Sequence, residues 1–317
     1  MDTLIVENTQ VYRFTPSQGY QTESRVLFSH ATGIAALTYK DVLQRWADAC
    51  SVDVFAFDAR GHADQPQTLR HDVLHHKQGL TSIPSVLCDD LKAIFRRLRM
   101  MFPGAWSLAG HSLGGWLSLY AANDIDVERL VLWDMPMLSP SSTLLWAAAC
   151  LFRQRGIHPL SRPARRRKRL FRSRNQAFNA FKRNSFFSQW SPQHLQNYID
   201  ANFTLQNDGT LSLKHDPEWE ADLFESQPAL HTPLMLKMNA MKRKHLHVEL
   251  LAGAESKICD ATAIRYFHRL FPQTRWFIIP HGGHMFPFEN TRGLVETLTL
   301  LNKPQSQKQV AEFREVS

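Results

Sequence analysis

Residues 105–122 leave the chain little choice of shape. The apolar run AWSLAG leads through Gly110-His111-Ser112-Leu113-Gly114-Gly115 directly into WLSLYAA. A strand that reverses into a helix over so few residues brings backbone against backbone. Glycines on either side of Ser112 remove the side chains that would clash. The G-x-S-x-G turn lifts the serine hydroxyl beyond the strand's carboxyl end, where open parallel sheets carry their sites. The helix that follows directs its N-terminus, and the Leu113 N–H, at the same point, which suits a developing oxyanion. Ser112 is therefore the candidate nucleophile.

The rest of the chain repeats the alternation. Short apolar runs at Arg25–His30, Val52–Asp58, Ala105–Gly110 and Arg129–Asp134 read as strands. Between them, Tyr39–Cys50, Pro84–Met101 and Leu113–Ala122 read as helices. From Leu138 to about Arg243 the pattern stops: the stretch is rich in Arg, Phe, Gln and Trp and has no good strand. It reads as a mostly helical insertion. Alternation resumes with Val248–Leu251, a helix near Ala261–Phe271, the strand Arg275–Ile279 and a helix near Thr291–Leu301. The expected fold is α/β, a mostly parallel central sheet flanked by helices, with core residues 1–137 and 244–302. Residues 138–243 form an inserted helical cap, and 303–317 a polar tail.

The net charge of +8 is local. Residues 151–200 hold twelve Lys/Arg and one acid, a net of +11, so the remainder sums to −3. The run Arg165-Arg166-Arg167-Lys168-Arg169 reads as a solvated helix face. A basic face of this kind could instead dock an anionic membrane surface or an acidic acyl-carrier protein. No recognition motif supports nucleic-acid binding. Cys50, Cys88, Cys150 and Cys259 form no CxxC pair, so metal and redox motifs are weak. Sparse cysteine, no leader pattern in MDTLIVENTQVYRF and no membrane-length apolar run give the expectation of a cytoplasmic chain.

A serine hydroxyl needs a base beside it. Among fifteen histidines, position selects His284, in Pro280-His281-Gly282-Gly283-His284 directly after the last strand; this follows the chain order Ser, acid, His. His281 is its competitor. His71, His75 and His76 lie in a polar loop, and His245 and His247 flank a basic turn. None of these has a convincing metal-ligand spacing, and no metal is expected.

With the elbow, His30-Ala31-Thr32-Gly33, Asp58-Ala59-Arg60-Gly61-His62 and Gly282-Gly283-His284 in this order, the chain resembles the α/β-hydrolase superfamily. It looks most like bacterial esterase/lipase-like serine hydrolases with a His-Ala-x-Gly loop. The resemblance covers residues 25–134 and 247–301. It implies an inserted lid, carboxylic-ester hydrolysis and no cofactor. It also implies that Thr32 supplies an oxyanion N–H alongside Leu113, with Ile34 as a lesser donor; Ala31 stands where the family usually has Gly. The acid departs from the pattern. The position after the insertion reads Gly253-Ala254-Glu255-Ser256, with serine where the family carries Asp. Asp134, ending the strand next to the elbow strand, is preferred because some members carry the acid there. Glu255 and Asp260 are the alternatives. Asp58 and Arg60 are read as loop ties.

These readings lead to a serine carboxylesterase or lipase-like enzyme for a medium-chain or hydrophobic small-molecule ester. The Phe-rich insertion, with Phe171, Phe178 and Phe181 at helical spacing, reads as cap packing, or else as an acyl tunnel. A thioesterase or acyl-transfer enzyme on a carrier-bound acyl group shares the same residues. A catalytically silent binding module of the same fold is the alternative of a different class.

Overall fold

The computed structural model describes residues 1–19, 22–63, 83–137, 158–226 and 246–302. Its strands are β1 (Asp2–Val6), β2 (Thr9–Phe14), β3 (Ser24–Ser29), β4 (Asp53–Phe57), β5 (Ala105–His111), β6 (Arg129–Trp133), β7 (Leu170–Phe171), β8 (Phe203–Leu205), β9 (Leu211–Leu213), β10 (His247–Gly253) and β11 (Arg275–Ile279). Eight of them form one sheet in the order β1-β2-β4-β3-β5-β6-β10-β11. From β4 to β11 every pairing is parallel. β1 and β2 add an antiparallel hairpin at one edge. That hairpin is absent from the sequence reading. Its first strand is short and mostly exposed, and its run of Leu4, Ile5 and Val6 does not alternate with polar residues as a half-buried strand would. Glu7 and Asn8 both take positive φ at the turn, as tight hairpins require.

The core helices are α1 (Lys40–Cys50), α2 (Ile83–Met101) and α3 (Leu113–Ala121). Strand positions alternate between two buried layers. Leu27, Phe55, Leu108, Leu130 and Leu132 pack with α2 and α3. Phe28, Val54, Ala56, Val131 and Trp133 pack with α1 on the other face. Both faces are covered, so the central strands are largely apolar. Two buried acids interrupt them: Asp53 on β4, paired with Arg13, and Glu249 on β10, wholly buried and ion-paired to Arg129 and Arg275.

Of the insertion, residues 158–226 are described. They hold α4 (Ser161–Arg165), α5 (Arg174–Lys182), α6 (Pro192–Asn202) and α7 (Pro217–Ser226). They also hold a three-stranded antiparallel sheet, β7-β9-β8, which corrects the expectation of a strandless stretch. Strands of two or three residues are too short to show alternation. Phe171 lies on β7 and not on a helix with Phe178 and Phe181; it packs on Phe181 at 5.4 Å between ring centroids. The segment is tied to the core: Asn202 donates to Thr38 Oγ1 at 3.1 Å, Asn197 to Asp41 at 2.8 Å, and Trp219 Nε1 to the Arg60 carbonyl at 2.9 Å. After β10 come α8 (Ala261–Leu270), α9 (Phe286–Glu289) and α10 (Thr291–Asn302). Residues 64–82, with His71, His75 and His76, and the tail 303–317 lie outside the described residues, as do Cys150 and His245.

Buried imidazoles hold the turns after β3 and β4. His30 Nδ1–H donates to the Ala31 carbonyl at 2.8 Å, and its Nε2 accepts the Ala59 N–H at 2.9 Å. His62 Nε2 accepts the Gly33 N–H at 3.0 Å. Asp58 accepts the Ala36 N–H at 2.7 Å and the Tyr12 hydroxyl at 3.2 Å, while Arg60 pairs with Asp90. Each ring must be neutral, because one nitrogen accepts. Burial lowers the pKa of His30 and takes that of His62 well below 6.5. The unfolded chain therefore binds protons more readily, so this stability is complete above pH 6.5 and is lost as pH falls below it. Asp58, pushed up by burial, works the other way once it gains its proton. Urea unfolding at about pH 7.5 and about pH 5.5 should differ by a total on the order of 1.4 kcal/mol for a histidine as strongly depressed as His62. His62→Gln keeps an acceptor but cannot titrate, and should flatten part of that slope. An unchanged slope would contradict neutral burial of His62.

Candidate active site

Ser112 sits between β5 and α3 with φ 55° and ψ −116°, a conformation that costs a residue with a side chain on the order of 1–3 kcal/mol. Its neighbours hold it there. The Ser112 N–H donates to the Trp133 carbonyl at 2.9 Å, and its carbonyl accepts the Gly115 N–H at 3.0 Å. A Cβ on Gly110 would lie 2.2 Å from the Gly114 backbone, and one on Gly114 would lie 2.0 Å from the Ser29 carbonyl. Both glycines of the motif are thus required by close backbone approach.

His284 stands in the loop after β11. Its Nε2 is 3.2 Å from Ser112 Oγ, and its Nδ1 is 2.7 Å from Asp134 Oδ2. With Nδ1–H donated to the carboxylate, the Nε2 lone pair faces the serine hydroxyl. Asp134 follows β6 and is wholly buried. Its other donors are the Gly253 N–H at 3.0 Å, to Oδ1, and the Ser256 hydroxyl at 2.5 Å, to Oδ2. Ser256, standing where the family carries Asp, donates to the carboxylate that replaces it. The alternative acids lie elsewhere. Glu255 is exposed, and Asp260 caps α8 by accepting the Ala263 N–H at 2.8 Å. His281 is exposed at the start of the same loop.

Three residues of this arrangement escaped the sequence reading. Glu289 accepts the Gly283 N–H at 2.6 Å and so holds the residue before His284. The Tyr39 hydroxyl accepts the Ala31 N–H at 3.3 Å and donates to His111 Nδ1 at 2.7 Å. His111 Nε2–H in turn donates to the His284 carbonyl at 2.8 Å. One relay therefore joins the turn carrying Thr32, the elbow and the loop carrying His284. Burial pushes the Tyr39 phenol up and takes His111 well below 6.5, so both stay neutral and the relay keeps its direction. The sequence holds one clue, His111 inside the elbow motif, but its partners are remote in the chain.

Thr32 lines the cavity onto which Ser112 and His284 open. Leu113 begins α3, where first-turn N–H groups have no intrahelical acceptor. Ile34, the lesser donor candidate, gives its N–H to the Ala31 carbonyl at 3.2 Å. The cavity measures about 610 Å³. Ile34, Met137, Leu160, Phe186 and Phe224 make its wall largely apolar, and the loop before α8 and one face of that helix complete it. Among the described residues, no cluster of His, Cys, Asp and Glu could hold a metal ion.

The basic run is divided: Arg165 and Arg167 are partly buried and paired, whereas Arg166, Lys168 and Arg169 are exposed. Arg165 meets Glu218 at 3.0 Å and Glu225 at 2.9 Å. Arg167 donates to Glu220 at 2.5 Å and to the Tyr198 hydroxyl at 2.7 Å. Arg169 faces Asp216 at 3.7 Å, Lys168 lies over the Phe171 ring, and Arg166 is exposed. No helix among the described residues is long and apolar enough to cross a membrane.

Comparison with known proteins bears on the fold and the family. No curated protein sequence matches the chain. Several solved structures are similar in fold. E-2-(acetamidomethylene)succinate hydrolase has a TM-score of 0.68 at 16% identity, covering 94% of this chain and 97% of that one. An esterase from Mycobacterium tuberculosis has a TM-score of 0.67 at 19% identity, covering 95% and 90%. A thioesterase domain from the curacin biosynthetic pathway has a TM-score of 0.65 at 15% identity, covering 94% and 97%. The family model described as the alpha/beta hydrolase family matches residues 26–297, and the chain belongs to that family.

Proposed function

We propose that this protein is a serine hydrolase that cleaves carboxylic esters with a hydrophobic acyl group through an acyl-enzyme. The observation that carries the reading is the hydrogen-bonded line Asp134–His284–Ser112, opening on a cavity with a largely apolar wall. Ser112 Oγ attacks the carbonyl carbon while His284 Nε2 takes its proton. Asp134 holds the ring tautomer and stabilises the imidazolium. The Thr32 and Leu113 N–H groups donate to the tetrahedral oxyanion. His284 then gives the proton to the leaving alcohol. A water molecule repeats the attack on the acyl-enzyme, releasing the acid and restoring Ser112. Tyr39 and His111 act as positioning residues. The insertion contributes Leu160, Phe186 and Phe224 to the cavity wall, which supports its reading as a lid. Among the described residues Cys50, Cys88 and Cys259 form no disulfide, which fits a cytoplasmic setting. A thioester would meet the same groups, and the fold likeness to a thioesterase domain favours testing one.

The deciding experiment is hydrolysis of p-nitrophenyl esters from acetyl to palmitoyl, with Ser112→Ala beside the native chain. Turnover should peak at one chain length and fall by ~10,000-fold or more in the variant. Neither hydrolysis nor fluorophosphonate labelling of Ser112 would point to a silent binding module. For the acid, Asp134→Asn should lower kcat by roughly 1,000- to 10,000-fold and Glu255→Gln by less than about twofold; the opposite ranking would move the acid to Glu255. Tyr39→Phe deletes one hydroxyl of the relay. It should lower kcat about tenfold with little change in KM, alongside a stability loss of about 1–3 kcal/mol from the unsatisfied His111 Nδ1. A melting shift without a kcat effect would leave the relay purely structural.

A further inference from the structure

One wall of the Ser112 cavity carries cations that the esterase reading does not use. Thr262, Arg265, Tyr266 and Arg269 line it from α8, spaced three and four residues apart on one helix face. Lys257 lines it from the loop before that helix. All three cations are exposed. Among the described residues, Lys257 and Arg269 have no hydrogen bond or ion pair. Arg265 has only a long contact, 3.4 Å, to the Thr262 hydroxyl. Arg13, Arg60, Arg129, Arg165 and Arg275 all meet carboxylates elsewhere in the fold. The single acid on this wall, Asp260, faces the α8 N-terminus and caps it. Arg265 and Arg269 stand at i and i+4, where like charges repel. The cavity is thus amphipathic, with an apolar side at Ile34, Met137, Phe186 and Phe224 and a cationic side at Lys257, Arg265 and Arg269.

We propose that Lys257, Arg265 and Arg269 bind an anionic group, carboxylate or phosphate, on the ester or thioester that Ser112 attacks. This rests on the hydrolase reading above and names its substrate class. A guanidinium fork grips either anion through two parallel N–H bonds. An incoming anion also relieves the repulsion between the two arginines. The contact is electrostatic and lies at an exposed wall, so the preference weakens as salt screens it.

The test compares matched substrates on the native chain and on the triple variant Lys257→Ala/Arg265→Ala/Arg269→Ala. The carboxylate arm sets the p-nitrophenyl half-ester of suberic acid against p-nitrophenyl octanoate. The phosphate arm sets octanoyl-coenzyme A against octanoyl-N-acetylcysteamine. In at least one arm the native ratio of kcat/KM, anionic over neutral, should exceed about tenfold and fall towards unity in the variant and at high salt. The arm that responds identifies the anion. A native ratio near unity in both arms, or a ratio the variant leaves unchanged, overturns the proposal. Loss of all turnover together with loss of fluorophosphonate labelling is the separate failure of the hydrolase reading. Binding then decides: calorimetric titration of monomethyl suberate and of coenzyme A into Ser112→Ala, with and without the three alanines. Affinity for at least one ligand that drops about tenfold on removing the cations supports the anion site; equal affinity in both proteins, or no binding of either ligand, rejects it.

Discussion

A carboxyl group withdrawn from water must find donors in place of the water it loses, and Asp134 is the point where this protein meets that condition. Its donors come from three places: the end of β10, the loop at Ser256 and the imidazole of His284. None of these is near it in sequence. They meet because β6, β10 and β11 run parallel and end at one level, with Leu251 opposite Trp133 and Gly253 opposite Ile279. The Asp134 N–H itself donates to the Leu251 carbonyl at 2.7 Å. The buried carboxyl group thus ties together the loops that carry Ser256 and His284. Any slip between these strands would strand it without partners.

The turn at Thr32 is held from both sides. From the core come His62, on the Gly33 N–H, and Tyr39, on the Ala31 N–H. From the insertion comes Glu220: a Cβ on Gly33 would lie 2.5 Å from its carboxylate oxygen. Glu220 is itself held by Arg167 and by His215. The described part of the insertion is therefore a structural partner of the turn, and the charges of its basic run are struts that keep it in place.

What could be read from residues alone divides along physical lines. The central strands were legible because both sheet faces are covered, leaving apolar runs such as residues 54–57. Ser112 and His284 were legible because local constraints surround them: glycines forced by close approach in one case, a loop directly after a strand in the other. The position of Asp134 was legible from a strand end and from Ser256 occupying the usual place. Tyr39, His111 and Glu289 were not, since a hydrogen bond between distant segments leaves no periodicity. The strands β7 to β9 were hidden by their brevity. Within the basic run, the pairing of Arg165 and Arg167 was hidden because their carboxylate partners, Glu218, Glu220 and Glu225, follow some fifty residues later.

With the acid on β6, the two carboxyl-edge residues Ser112 and Asp134 follow neighbouring strands of one ladder. Their spacing is set by backbone pairing, about 4.8 Å from strand to strand, and not by a loop. Residues 254–260 are thereby relieved of carrying the carboxylate; Ser256 alone remains tied to it. The rest of that loop, with Lys257 and Ile258 on the cavity wall, can change its side chains while the reacting groups stay where they are. Such a layout separates the side chains that line the cavity from the backbone ladder that fixes Ser112 and Asp134.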